Sequence, residues 1–97
     1  NPSTTPRQPK AEKLSEAALK ALEAAERELR GGKWQKAIRT VNASAQLKGT
    51  EAATLFMGRA YCRGKDQPNA LNALNNLKTS TARAQLREYC QQLDFEL

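Results

Sequence analysis

The stretch Gly58-Arg-Ala-Tyr-Cys-Arg-Gly-Lys-Asp-Gln-Pro-Asn-Ala70 reads as the end of one helix, a tight turn and the start of the next. Upstream, Ala53, Met57, Ala60 and Tyr61 recur at three- and four-residue spacing, as one helical face requires, and downstream Ala70, Leu71, Leu74 and Leu77 do the same. Arg63-Gly64 closes the first helix, because glycine enters the left-handed conformation without a Cβ clash. Pro68 falls in a first turn, where no amide donor is needed. The stretch predicts a helical hairpin. Small residues at Gly58 and Ala70, one in each helix, let the two backbones approach closely, with Tyr61 filling the space beside them.

Outward from this hairpin the same pattern recurs. From Ala11 on, Leu14, Ala18, Ala21, Leu22, Ala25 and Leu29 form an apolar stripe interleaved with Glu12, Glu16, Glu23, Glu26 and Glu28. This predicts a first helix of about five turns, stopped by Gly31-Gly32. Trp34, Ala37, Ile38 and Val41 mark a second helix that fades through Ala45 and Leu47 to Gly49. Thr50 caps a third, which runs to Arg63. A fourth spans Pro68 to Leu77, and a fifth runs from Thr81 to about Leu93 behind a Thr79 or Ser80 cap. Ala and Leu are abundant and β-branched residues few, so the expected class is all-α. The expected core is Ala25, Trp34, Ala37, Ile38, Val41, Met57, Gly58, Ala60, Tyr61, Ala70, Leu71, Leu74, Leu77, Leu86 and Leu93. Residues 1–10 hold three of the four prolines and no large apolar residue, which predicts a disordered linker ahead of a folded domain at 11–97. The chain opens on Asn rather than Met, so a piece cut from a larger protein, or a processed one, is expected.

Composition excludes several functions. No apolar run nears the roughly eighteen residues of a membrane span, and no charged start leads into an apolar signal core. Histidine is absent, no nucleophile sits in a recognisable pairing with a base, and no glycine-rich phosphate loop follows a strand, so neither catalysis nor a cofactor or metal is expected. Two cysteines, Cys62 and Cys90, are too few for a disulfide framework. They read as reduced, partly buried thiols, and the expected location is cytoplasmic. The glycosylation sequon Asn42-Ala43-Ser44 falls within a helical pattern and reads as coincidence. Charge is uneven. The chain carries a net charge of +6, but between Arg30 and Arg87 eleven Lys and Arg residues face only Glu51 and Asp66. A field of that sign favours anionic partners.

An internal repeat gives these helices an order. Laying Ala37 on Ala70, an offset of 33 residues, places Ile38 on Leu71, Val41 on Leu74, Ala25 on Gly58 and Glu28 on Tyr61. Tetratricopeptide repeats have a period of about 34. With Gly58, Tyr61 and Ala70 at these separations the chain resembles that family. The first copy keeps Ala25, Trp34 and Ala37 but has Glu28 where a large aromatic is usual. The resemblance implies a right-handed stack of about two helical hairpins plus a C-terminal capping helix, five helices in all, that binds proteins rather than transforming substrates. Short stacks of this kind form tails of bacterial regulatory proteins such as serine/threonine kinases. The family's groove is lined by the first helix of each hairpin, which maps onto Leu22, Glu26, Leu29 and Arg30, and onto Leu55, Arg59, Cys62 and Arg63. An apolar groove with arginine edges suits an acidic, amphipathic or phosphorylated peptide, with Leu55 and Phe56 meeting its apolar side chains. Nucleic acid is the second reading, weakened because Trp34 and Tyr61 are better used as core fillers than as stacking platforms.

Overall fold

Among the described residues five α-helices form in the expected order: α1 (Glu16–Arg30), α2 (Trp34–Asn42), α3 (Glu51–Arg63), α4 (Gln67–Asn76) and α5 (Ser80–Gln92). The structure, a computed structural model, describes residues 13–97, and the linker expected at 1–10 lies outside the described residues. Among the described residues there is no strand, and no helix is long and apolar enough to cross a membrane. Two boundaries differ from expectation by more than one residue. The hydroxyl of Ser15 accepts the Ala18 amide, so α1 starts at Glu16 rather than near Ala11. Past α2, Ala45–Leu47 forms a turn of 3-10 helix that buries Leu47 completely, where the pattern suggested only a fading tail.

Helices α1, α3 and α5 are built alike. Ser15, Thr50 and Thr79 cap them, each accepting the amide three residues on, at 3.1 Å in all three cases. Each also ends in the same reversal, with the Lys33 amide donating to the Glu28 carbonyl, Asp66 to Tyr61 and Phe95 to Cys90. The left-handed positions of these turns are Gly32, Lys65 and Asp94, with φ of 83, 60 and 58°. Gly64 is therefore not the left-handed closer expected from the sequence, since its φ is −87°. Its smallness is used instead for contact. A Cβ there would run into the rigid indole of Trp34, which packs across the turn from the start of α2.

Helix α3 is the centre of the molecule. The hairpins α1–α2 and α3–α4 each pack internally, and both α2 and α5 pack on α3. One side of α3 presents Ala53, Phe56 and Ala60 to a cluster with Ala18, Ala25, Leu29, Ala37, Ile38, Val41 and Leu47. Its other side presents Cys62 to a second cluster with Ala70, Leu74, Leu77, Ala82, Leu86 and Cys90. Ten residues of the expected core are buried, namely Ala25, Ala37, Ile38, Val41, Gly58, Ala60, Ala70, Leu74, Leu77 and Leu86, while Trp34, Met57, Tyr61, Leu71 and Leu93 are half-buried. The close approach at Gly58 is real but its partners differ: Leu86 of α5 and Ala73 of α4 crowd it, not Ala70. In the first hairpin Glu28, which the internal repeat lays on Tyr61, accepts the Thr40 hydroxyl at 2.6 Å and so ties α1 to α2.

Glu51 links the starts of α3 and α5. Its carboxylate accepts the amides of Lys78 and Thr79 at 3.0 Å and the Thr79 hydroxyl at 3.0 Å. Desolvation opposes its charged form, but those hydrogen bonds and the Lys78 charge outweigh it, so the carboxyl titrates below its ordinary value of 4.5. A depressed pKa contributes stability that is present above the ordinary value and lost as pH falls through the lowered one. Glu51→Gln should therefore be less stable than wild type near neutrality, with the gap closing in acid. Urea midpoints measured down a pH series test this, and a gap independent of pH contradicts it.

Candidate functional site

The residues expected to line a groove come together only in part. Glu26 and Arg59, one repeat length apart, meet in a two-pronged ion pair with N–O distances of 2.8 and 3.0 Å. The Arg59 guanidinium also lies 5.5 Å from the Phe56 ring centroid and 4.9 Å from that of Tyr89. This clasp joins α1, α3 and α5 through a single side chain. Burial opposes the charge on Arg59, yet hydrogen bonding and attraction from Glu26, with a further contribution from Tyr89, hold its pKa above the ordinary value. Its charge is already matched inside the fold. Arg59 is thus a structural cation rather than an open anion receptor.

Three other groove assignments need correction. Leu29 is only 2% exposed and belongs to the core around Ala25 and Ile38. Cys62 is fully buried and bonded to Cys90 of α5, with a Cα–Cα distance of 5.5 Å, so the expected pair of reduced thiols is a disulfide and neither sulfur can meet a partner. Phe56, expected to touch apolar side chains of a ligand, is 1% exposed. Leu55 is half-buried against the cluster that α5 completes, and Leu22 is half-buried against the first cluster. Of the eight lining residues only Arg30 and Arg63 are fully at the surface. For Leu55 and Cys62 the reason is that α5 lies along the face of α3 expected to form the groove, whereas Leu22, Leu29 and Phe56 join the cluster between α1, α2 and α3.

The open cationic feature lies elsewhere. A cleft of about 340 Å³ is lined by Gly32, Lys33, Trp34, Gln35, Lys36 and Arg39. Lys33, Lys36 and Arg39 are exposed, and among the described residues no carboxylate pairs with them. Trp34 forms one wall and is held edge-on against Tyr61, with centroids 6.4 Å apart. Lys33 provides no side-chain cap to α2. All three cations belong to the basic stretch between Arg30 and Arg87, and none of them is among the residues expected to bind a partner. Their three-residue spacing just after Gly31-Gly32 is the signal that sets them along one side of a short helix. The arrangement holds no paired acid and base. It offers positive charge beside an aromatic wall.

Compared with known proteins, the chain matches no family model, no curated protein and no solved structure.

Proposed function

We propose that this chain is a non-catalytic, tetratricopeptide-like interaction module that holds an acidic or phosphorylated segment of a partner protein, in the manner of the tail of a larger regulatory protein. The observation that carries this reading is the cleft of Lys33, Lys36 and Arg39, whose charges have no paired carboxylate among the described residues, while that of Arg59 is neutralised by Glu26. The repeat-like stacking is supported by the identical ends of α1 and α3 and by the contact between Glu26 and Arg59 at equivalent positions. Lys and Arg at three-residue spacing can bracket a carboxylate or phosphate while the Trp34 indole packs against an adjoining apolar side chain. The second reading, nucleic acid, loses support. Among the described residues the half-buried Trp34 alone borders the basic cleft, while the rings of Phe56 and Tyr89 flank Arg59 instead, so no succession of stacking platforms accompanies the basic surface.

The test is titration of fluorescein-labelled acidic and phosphoserine peptides against wild type and the Lys33→Glu/Lys36→Glu/Arg39→Glu variant, alongside a single-stranded oligonucleotide of matched charge. These residues are exposed, so the variant should stay folded. Peptide affinity is expected to drop about ten-fold or more, roughly 1.4 kcal/mol. Undiminished peptide binding by a folded variant, or preference for the oligonucleotide at physiological salt, overturns the reading.

A further inference from the structure

Helices α3 and α5 run parallel and in constant register. The Thr79 amide meets Glu51, Leu86 meets Gly58, Cys90 is bonded to Cys62, and the Lys65 ammonium donates to the Leu93 carbonyl at 3.2 Å. Each of these pairs is 28 residues apart along the chain, so α5 is laid along the whole length of α3. The buried side chains of α5, Ala82, Leu86 and Cys90, all belong to the second cluster and none to the first. Its other side is mostly polar, with Thr81, Gln85, Arg87, Glu88, Gln91 and Gln92 exposed. The helix is an amphipathic cover whose only covalent tie to the body, apart from the short link behind α4, is the disulfide.

We propose that the Cys62–Cys90 bond is a latch that keeps α5 seated on α3, and that the chain is made for an oxidising compartment, in place of the cytoplasmic location expected from its sequence. Disulfides persist where thiols are not continually reduced and are rare in the cytosol, and neither cysteine here is free. Opening the latch takes two electrons and two protons from a dithiol, which leaves as its own cyclic disulfide while Cys62 and Cys90 become thiols. What remains on α5 is then the burial of Ala82 and Leu86 in the second cluster, the half-buried Leu93, the Tyr89 ring on Arg59 and surface hydrogen bonds. Release would bare Leu55, Gly58 and the Tyr89-facing side of Arg59, while the cluster shared by α1, α2 and α3 stays closed.

Two measurements test this. Protein taken from its own cells, acid-quenched and then denatured with N-ethylmaleimide but no reductant, is expected to take up no maleimide. Two adducts per chain would overturn the oxidising compartment. Separately, hydrogen exchange of the purified chain is followed with and without dithiothreitol. Amides of residues 80–92 should exchange about ten-fold faster or more after reduction, while those of 16–42 keep their protection. Unchanged exchange in α5, or equal acceleration along the entire chain, would overturn the latch.

Discussion

Phe56→Ala is expected to lower the unfolding free energy by about 3 to 5 kcal/mol. The side chain is 1% exposed and is the largest of the fully buried ones, set among Ala25, Leu29 and Val41 between α3 and the first hairpin. Truncation removes the transfer free energy of a phenyl ring and leaves a cavity that the rigid helix pair can only partly close. It also takes away one of the two rings beside the Arg59 guanidinium. Small domains have total stabilities of about 5 to 15 kcal/mol, so the loss should be visible as a large drop in urea midpoint with little change in slope. The alternative assignment, Phe56 as a groove residue, gives the opposite expectation, because exposed positions usually change stability by about 0.5 kcal/mol or less. A variant with a near-native midpoint would return Phe56 to the surface and undo the packing of α3 described above.

Gly58→Leu is expected to cost about 1 to 3 kcal/mol through overpacking. A Cβ at this position would stand 2.5 Å from one methyl of Leu86, 2.9 Å from the other and 3.3 Å from the Ala73 Cβ. Leu86 has flexible methyls but is itself fully buried, so its movement disturbs the seat of α5. The companion Gly58→Ala separates two effects. Alanine gains about 1 kcal/mol of helix propensity over glycine and adds only the Cβ, which still forces the Leu86 methyls aside, so its net loss should be smaller than that of leucine. Thermal melts of the two variants under oxidising conditions measure the difference. Equal melting temperatures for wild type and Gly58→Leu would contradict both the tight α3–α5 contact and the register that places Leu86 against Gly58.

The groove was misplaced for a legible reason. Between Glu51 and Arg63 the only charged side chain is Arg59, and Leu55, Phe56, Met57, Ala60, Tyr61 and Cys62 leave no continuous polar face. A helix apolar nearly all round is buried on more than one side. Met57 and Tyr61 in the core with Leu55, Arg59 and Cys62 on an open face would require a single covered side, which suits an outer helix but not the central one. The lone Arg59 then needed an internal counter-charge, and Glu26 supplies it.

Local chemistry determined much of this protein. Helix number and order, the hydroxyl caps at Thr50 and Thr79, the stops after Arg30 and Arg63, and most of the core follow from periodicity and from what each residue can do with its own neighbours along the chain. These features depend on contacts a few residues apart, so the linear pattern carries them. Tertiary structure alone decided the rest. It brought Cys90 to Cys62, Tyr89 and Glu26 to Arg59, Trp34 onto Gly64, and α5 across the face of α3. Each of those pairings spans 28 to 33 residues, and a lone cysteine, arginine or glycine has no local preference that names its distant partner. Which face of an amphipathic helix is covered by which other helix is settled only when all the apolar surfaces are buried together.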